Sequence, residues 1–307
     1  MNRYLALHKI IELGNFTKAA SAMNCTQSAI SQMISSLEDE LKIKLLNRSK
    51  SGISLTKEGE RLYPHIQRLV YEYRTVKEHA QEIRGLETGT IRIGTMGSIS
   101  THWLPILISE FKKKYPAIEF VLLEGDYVSI TEWIKTGAVD FGFVNPDAVS
   151  GIKTSPVKDG RMMAVLPPGH PLAENEIVSL KDLGKEHFIL LEEGNHSEPL
   201  IAFKEQGIHP KISYVIHDDY TIMNMVEQGL GVSMLAELML KRIAYNLELR
   251  PTEPPVIRKM AIGYKDRLSL TIAARRFIEL LKENMDKLPR YLYVENKELS
   301  EIFGNPE

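Results

Sequence analysis

The sequence predicts an all-α N-terminal head with a small wing, one long helix, and an α/β body of two Rossmann-like lobes. Three observations predict this architecture. Residues 3–41 carry apolar side chains at helical spacing in three short segments separated by turns. Residues 62–83 carry apolar positions at alternating steps of four and three. After Gly89, short β-branched runs alternate with helical segments, a pattern typical of mostly parallel sheets.

The composition is that of an ordinary globular protein and argues against several classes. The 307 residues are 43% hydrophobic and 25% charged, enough for two or three domains. Residues 1–10 precede no apolar run of signal-peptide length, and about eighteen consecutive apolar residues occur nowhere. We therefore expect a cytoplasmic protein that does not engage a membrane. Cys25 is the single cysteine, which leaves a small core residue or a reactive thiol as its roles.

Three helices are predicted in the head. The first runs from Arg3 to Leu13 and ends at Gly14, and the second runs over about 17–23. Thr26 is suited to cap the third helix. The inward face of that helix is predicted to carry Ala29, Ile30, Met33 or Ile34, Leu37 and Leu41.

The outward face of the third helix is polar yet almost uncharged. It carries Gln27, Ser28, Ser31, Gln32 and Ser35. Glutamine can bond adenine with both amide groups, and serine can reach base edges or the DNA backbone. A merely solvated helix face usually carries Lys and Glu instead. A short helix, a tight turn and then a polar helix predict a helix-turn-helix whose third helix enters the major groove.

The stretch after Leu45 is basic and contains a glycine. Residues 47–56 read NRSKSGISLT, which predicts a two-stranded wing with Arg48 and Lys50 placed for phosphate or minor-groove contact. Residues 1–61 hold nine Lys or Arg and six Asp or Glu, a charge of +3 in a chain whose net charge is -2. A basic head on an acidic body favours DNA binding.

The run FTKAASAMNCTQSAISQMISSLEDELKIKLLNRSKSGISLTKEGE resembles the winged helix-turn-helix of LysR-type transcriptional regulators. The order Phe-Thr-x-Ala-Ala, Gln-x-Ala-Ile-Ser, Leu-Glu, Leu-x-x-x-Leu and Leu-Thr-x-x-Gly carries the resemblance. It departs where Ser28 replaces a frequent proline and Gln32 and Ser35 replace frequent arginines. The candidate contacts to double-stranded promoter DNA are Thr17, Lys18, Thr26, Gln27, Ser28, Ser31, Gln32, Ser35, Arg48 and Lys50.

A long helix is predicted from Thr56 to about Leu86. Its apolar seam is Leu62, Ile66, Leu69, Tyr73, Val76, Ala80 and Ile83, and this regularity predicts a coiled coil with a partner helix. Packing of the seam on the chain's own domain is the alternative. Pro64 lies inside the segment and is expected to kink its first turns. In the resembled family this helix pairs two heads, which implies a homodimer on a pseudo-palindromic site, and pairing of the effector domains as well would give a homotetramer.

The body is predicted to contain two α/β sets joined by crossing strands in RMMAVLP and VIRKMAIGY. Two lobes joined by two crossovers resemble a periplasmic solute-binding protein, which is also how the effector domain of the LysR family is built. We predict a head at 1–61, a linker helix at 62–88 and an effector domain at 89–307. Within the effector domain the expected divisions are lobe I at 89–160 plus 265–290, lobe II at 161–264, and a tail at 286–307 without an assigned role.

A small-molecule effector is expected at the carboxyl ends of the strands, between the lobes. The loop GTMGSIST places helix-start N–H groups beside Ser98, Ile99, Ser100 and Thr101, which predicts a seat for an anion. Ser98 is either a helix cap, an effector contact or both. The resemblance to the LysR family implies that Ser98 contacts the effector, whereas Ile99, Ser100 and Thr101 are predicted contacts because they lie next to it in the sequence. Across the cleft we select Asn145 and Asp219. Asp218 and Asp219 are either caps or contacts, and as contacts they would favour a ligand that also bears an amine.

Catalysis is not predicted. The sequence shows no catalytic arrangement of a nucleophile, a general base and a residue that positions the base, and no spacing of side chains typical of a metal site. We expect no cofactor and no metal. A cytosolic binding module without DNA activity is the alternative to a regulator, and RNA polymerase is a further candidate partner.

Overall fold

The computed structural model describes residues 1–49, 52–84, 88–241, 243–267 and 269–288. The head contains three helices and a hairpin in which the two strands are antiparallel. Its elements are α1 (Asn2–Leu13), α2 (Phe16–Ala22), α3 (Gln27–Leu41), β1 (Leu46–Ser49) and β2 (Gly52–Leu55). Thr26 caps α3 as predicted, because its Oγ1 accepts a hydrogen bond from the N–H of Ala29 at 3.2 Å.

The linker helix α4 (Lys57–Ile83) continues without interruption through Pro64. Thr56 begins it by accepting a hydrogen bond from the N–H of Gly59 at 2.9 Å. Residues 85–87, into which the helix was expected to extend, lie outside the described part of the chain. Pro64 is the eighth residue of α4, past the first turn, so it removes one backbone hydrogen bond inside the helix without ending it.

The body follows the predicted alternation of strands and helices. Its elements in chain order are β3 (Gly89–Thr95), α5 (Gly97–His102), α6 (Leu104–Lys114), β4 (Ile118–Glu124), α7 (Tyr127–Thr136), β5 (Phe141–Val144), β6 (Lys153–Pro156), β7 (Gly160–Leu166), β8 (Val178–Ser179), α8 (Leu180–Leu183), β9 (His187–Leu191), α9 (Glu198–Glu205), β10 (Lys211–Ile216), α10 (Asp219–Glu227), β11 (Ser233–Ala236), β12 (Glu248–Arg258), β13 (Ala261–Tyr264) and α11 (Ile272–Glu283). The helical segment that follows β3 is divided at Trp103 into α5 and α6, and Pro105 lies in the first turn of α6.

Lobe I is built on a five-stranded sheet of order β4-β3-β5-β13-β6. The first three strands are parallel, and β13 is antiparallel to both of its neighbours. Lobe II contains a four-stranded sheet of order β11-β7-β12-β8 and a parallel pair of β9 and β10. A parallel bridge between Phe188 and Val232 joins this pair to the larger sheet. Each lobe encloses its own apolar core.

The lobe boundary expected at residue 264 is wrong by a few residues. The predicted single crossing strand over 256–264 is two strands, because β12 pairs with β7 in lobe II and β13 pairs with β5 and β6 in lobe I. The chain therefore crosses between the lobes at 259–260. The first crossover lies at 157–159, between β6 and β7. The expected tail beyond residue 288 is outside the described part of the chain.

None of the described helices has both the length and the hydropathy that crossing a bilayer requires.

Candidate functional site

The polar face of α3 lies on the surface of the head, as its sequence predicted. Gln27, Ser28, Gln32 and Ser35 are exposed, and so are Thr17 and Lys18 at the start of α2. Ile30, Ile34 and Leu37 fill the opposite side of the helix and are fully buried. The burial of these three side chains fixes which face of α3 points outward.

Three of the candidate hydroxyls, those of Thr26, Ser28 and Ser31, already have partners. Thr26 Oγ1 lies 2.9 Å from Ser28 Oγ while it also caps α3. Ser31 is half-buried, and its Oγ lies 3.4 Å from Nη1 of Arg48. Among the candidate DNA contacts on α3, Gln27, Gln32 and Ser35 are those for which the described structure gives no side-chain hydrogen bond.

Arg48 reaches from the wing onto the surface of the helix-turn-helix. Its guanidinium carbon lies 4.5 Å from the centroid of the Phe16 ring, in a cation–π contact. Together with the Ser31 contact this places a positive charge beside α3 rather than at the tip of the hairpin. Lys50, the second predicted wing contact, lies outside the described residues.

Glu38 holds the wing to α3, a role that the sequence did not reveal. Its Oε1 accepts hydrogen bonds from the N–H groups of Leu45 and Leu46 at 2.8 and 3.2 Å, and its Oε2 accepts one from Lys44 at 2.8 Å. Burial alone would raise the pKa of Glu38, but these hydrogen bonds outweigh it and hold the pKa below its ordinary value. Its neighbours Asp39 and Glu40 are exposed, so the run of three acids gave no sign of which one is buried.

The seam of α4 divides between the chain's own head and open solvent. Ile66 is 5% exposed and packs in the head core with Val70, while Leu62 is half-buried against the same core. The expectation that Ile66 serves a partner helix is therefore wrong, because its side chain is used within the chain. Leu69, Val76 and Ile83 are 41%, 64% and 88% exposed. Ala80 is also exposed, and Tyr73 is half-buried.

The opposite face of α4 packs on lobe I. Tyr71 is buried, donates a hydrogen bond to the carbonyl of Ser269 at 3.3 Å, and lies where a Cβ on Gly137 would fall. Arg74 donates to the carbonyl of Gly137 at 3.3 Å and lies 3.5 Å from the buried carboxylate of Asp140. Burial raises the pKa of Asp140, against the lowering effect of Arg74 and of the Arg92 N–H that it accepts. These contacts connect the linker helix directly to the lobe.

The four residues predicted to contact an effector at the start of α5 lie in different environments. Ser98 is buried, and it does not cap α5, whose N-cap is Met96 without a side-chain hydrogen bond. Ile99 is buried in the lobe I core. The Ser100 hydroxyl lies within hydrogen-bond distance of Glu124 and of the carbonyl of Met96, either of which can accept its one proton, and Thr101 is exposed. Of the four, Ser98 and Ile99 line the cavity described next, so the predictions for Ser100 and Thr101 are not supported by their positions.

A small cavity lies between the lobes, beside both crossovers. Its volume is about 30 Å³, and its lining includes Ser98, Trp103, Arg161, Glu237 and Arg258. A space of this size holds about two water molecules. In the arrangement that the structure shows, this cavity is therefore too small for a molecule of metabolite size.

Polar side chains from both lobes meet next to this cavity. Glu198 of lobe II accepts, through Oε1, hydrogen bonds from the Tyr127 hydroxyl at 2.9 Å and from Asn145 Nδ2 at 2.8 Å, both in lobe I. Arg258, at the end of β12, donates to the Tyr127 hydroxyl and to Glu193, each at 2.7 Å. The bonds that Tyr127 and Asn145 make to lobe II connect the two lobes directly. We call Tyr127, Asn145, Glu193, Glu198, Asp219 and Arg258 the interlobe cluster.

The interlobe cluster contains more acid than base. Burial raises the pKa of Glu193 to about 7, since the lowering effect of Arg258 is opposed by Glu198, Asp219 and Asp126. Burial also raises the pKa of Asp219. The guanidinium of Arg258 is buried among these carboxylates, and despite the penalty of burial they raise its pKa. Asp218 is the cap of α10, through Thr221, which leaves the neighbouring Asp219 for the cluster.

Among the described residues, no group of three His, Cys, Asp or Glu side chains is arranged to hold a metal ion.

Comparisons with known proteins decide the family. Residues 1–60 match the bacterial regulatory helix-turn-helix protein, lysR family, and residues 84–286 match the LysR substrate binding domain. The chain belongs to the LysR family of transcriptional regulators. It is 35% identical to the uncharacterized HTH-type transcriptional regulator YvbU of Bacillus subtilis, over 90% of this chain and 95% of YvbU. It is 30% identical to the transcriptional dual regulator GltC of the same organism, over 86% of this chain and 90% of GltC.

Solved structures of this family show the same fold. A point variant of full-length OxyR from Pseudomonas aeruginosa superposes with a TM-score of 0.70 at 24% identity, over 94% of this chain and 97% of OxyR. A LysR regulator carries a DNA-binding helix-turn-helix and an effector-binding domain, and the family is one of regulators rather than enzymes.

Sequence reasoning missed four members of the interlobe cluster of this LysR regulator. Tyr127 lies in a segment predicted to be a helix, and Arg258 lies in one predicted to be a strand. In such segments a single tyrosine or arginine does not indicate a binding site. Glu193 and Glu198 begin and end the segment EGNHSE at 193–198, and neither was among the residues predicted for the cleft. The signal available was their position after β9, at a strand's carboxyl end.

Proposed function

We propose that this LysR regulator binds a pseudo-palindromic promoter site as a homodimer in the cytoplasm, with α3 of each head in the major groove. The exposed, polar and nearly uncharged face of α3 carries the proposal. Its glutamine side chains can hydrogen-bond to base edges, whereas a helix face that only contacts solvent usually carries Lys and Glu. The exposed apolar residues Leu69, Val76 and Ile83 support a partner for α4.

Further pairing through the effector domains would produce a homotetramer. Both β4 and β10 lie at the edge of a sheet and expose apolar side chains. Those on β4 are Val121 and Leu122, and those on β10 are Ile212, Tyr214 and Val215, each between 37% and 50% exposed. Unpaired strand edges with apolar side chains suit association with another chain. RNA polymerase is proposed as a partner of the DNA-bound assembly, by membership of the family alone.

The effector is proposed to bind between the lobes and to shift the balance between two arrangements of the body. Glu198, Tyr127 and Asn145 connect the lobes across the cleft, so a ligand that binds there changes contacts between them. Tyr71 and Arg74 connect lobe I to α4 and supply a route to the heads. A ligand alters the regulator only through different affinities for the two arrangements.

The experiment that tests DNA reading compares two variants on two DNAs. In a gel-shift titration with DNA upstream of the regulator's own gene, Gln27→Ala should weaken specific binding by about 1 to 3 kcal/mol and leave random DNA unaffected. Arg48→Ala should weaken binding to both DNAs and lower the dependence of affinity on salt, because it removes a phosphate contact. Equal losses on both DNAs for Gln27→Ala would show that α3 does not read bases. Absence of any gel shift would favour a binding module without DNA activity.

A further inference from the structure

The interlobe cluster contains three carboxylates and one guanidinium. Glu193, Glu198 and Asp219 all approach Arg258, and among the described residues Arg258 is the cation that acts on both Glu193 and Asp219. His196 is the other group beside the cluster that can carry a positive charge, and its Nε2 lies 4.0 Å from Glu198 Oε1. Arg258 cannot neutralise three carboxylates alone, and a protonated His196 would still leave one of them without a cation. The cluster therefore lacks positive charge when all three are ionised.

A second observation concerns the other oxygen of Glu198. The side chain is 4% exposed, and its Oε1 accepts hydrogen bonds from Tyr127 and Asn145. Its Oε2 is buried and has no hydrogen-bond partner among the described residues. A carboxylate oxygen buried in this way costs free energy unless a donor reaches it. Oε2 belongs to the carboxylate that Tyr127, Asn145 and Arg258 surround, so the unsatisfied oxygen lies where the two lobes meet.

We propose that the effector carries a protonated amine, which the carboxylates of Glu198, Glu193 and Asp219 bind. An ammonium group has three N–H donors and one positive charge. It therefore provides the hydrogen-bond donor that Glu198 Oε2 lacks and the positive charge that the cluster lacks. Amino acids and polyamines share this chemistry. The inference rests on the proposed function, since it specifies the ligand of the same cleft.

The anion seat predicted at the start of α5 does not oppose this assignment. The N–H groups of Ile99 and Ser100 are bonded to the carbonyl of Met96, and Ser100 Oγ is engaged by Glu124. These three groups of the predicted seat are therefore already bonded within the chain. Charge recognition in the cleft is therefore acidic on the lobe II side, which carries Glu193, Glu198 and Asp219.

The test uses the full-length protein and matched pairs of probes. Thermal-shift measurements compare each of the common L-amino acids with the 2-hydroxy acid of the same side chain, and putrescine and spermidine form a separate arm. At least one amine should raise the melting temperature, and its hydroxy counterpart should not. Stabilisation by putrescine or spermidine but by no amino acid would identify a ligand without a carboxylate. Stabilisation by an amino acid would identify a ligand that carries both an amine and a carboxylate.

Variants assign the effect to the cluster. Calorimetry with the stabilising amine should show at least a tenfold loss of affinity in Glu198→Gln and in Asp219→Asn. Glu192→Gln is the matched control, since Glu192 is exposed beside the cluster, and it should bind as the wild type does. Binding of a cation favours ionised Glu193, so affinity should rise between pH 6 and pH 8 with release of protons.

Three results would overturn the amine assignment. They are equal stabilisation by amines and their hydroxy counterparts, stabilisation by no amine, and unchanged affinity in both cluster variants. A gel shift without ligand tests the proposed function separately. Retained DNA binding together with any of the three results would reject the amine and leave the regulator intact.

Discussion

Single residues of the head divide into those that hold the fold and those that face outward. Glu38 is the clearest case of the first kind, because one buried carboxylate accepts two backbone N–H groups of the strand that begins the wing. The second kind includes Gln27 and Gln32, which are exposed on α3. Glu38 thus positions the wing, and with it Arg48, against the face that carries the glutamines.

Replacing Glu38 by glutamine should loosen the wing. Loss of a charged acceptor for the N–H groups of Leu45 and Leu46 should lower the free energy of unfolding by about 2 kcal/mol. The pKa of Glu38 is lowered in the folded state, so its contribution is present above the unfolded pKa and is lost as pH falls through the folded pKa. Urea unfolding at pH 7 and at acid pH measures both effects.

Asp39→Asn is the control for Glu38→Gln, since Asp39 is exposed and its side chain makes no hydrogen bond within the described part of the chain. It should change stability little at either pH. Equal destabilisation by the two variants at pH 7 would show that the free energy of unfolding falls when either acidic residue is neutralised. The wing would then not depend specifically on Glu38.

Among the elements, α4 has three distinct faces. Ile66 and Val70 pack in the head core, Tyr71 and Thr75 are buried toward lobe I, and Leu69, Val76 and Ile83 remain exposed. The periodicity of the sequence predicted the helix and its seam. It could not show that the seam begins inside the head, because Ile66 and Leu69 look alike in a heptad pattern and only tertiary contacts distinguish them.

Two carboxylates placed in the exposed part of the seam should prevent dimerisation. Leu69→Asp with Val76→Asp would bury unpaired charges between partner helices, so light scattering should report half the wild-type mass, or a dimer in place of a tetramer. Arg61→Asp with Arg68→Asp puts carboxylates at exposed positions outside the seam and should leave the mass unchanged. An unaltered mass in the seam variant would mean that α4 has no partner helix.

The contact between α4 and α7 is a second element whose importance can be measured. A Cβ on Gly137 would overlap the Tyr71 ring, and the residue has a φ of 79°. Gly137→Ala should therefore force Tyr71 from lobe I, lower the melting temperature and weaken any effect of the effector on DNA binding.

Gly207→Ala separates the clash from backbone strain. Gly207 has a φ of 67° and no heavy atom of the described residues within 4 Å of the added Cβ, so this variant carries only the strain of about 1 kcal/mol. The melting temperature of Gly137→Ala should fall further than that of Gly207→Ala. Equal shifts would show that the Tyr71 contact contributes little to the docking of α4.

At the scale of the whole molecule, charged groups far apart in sequence meet between the lobes. Tyr127 lies in lobe I, Glu198 and Arg258 lie in lobe II, and the two crossovers of the chain bring the lobes together so that these side chains meet. Local patterns predicted the lobes, the crossovers and the cleft, because periodicity and turn residues are local signals. They could not predict a contact between residues 127 and 258, since no spacing in the sequence encodes it.

The rigid attachment of each head makes the spacing of DNA half-sites the last test. Ile66 and Val70 join α4 to the head core, and Tyr71 joins it to lobe I, so the middle of the helix is held by both the head and the body. Two heads fixed on one dimer should bind half-sites only on the same side of the duplex. Insertion of about 5 base pairs between the half-sites rotates one of them by about half a turn and should lower affinity at least tenfold, whereas about 10 base pairs should cost less. Gel-shift titrations measure these affinities, and the seam variant Leu69→Asp with Val76→Asp should bind all three spacings alike. Equal binding of the wild type to the original site and to the half-turn insertion would mean that the heads bind independently.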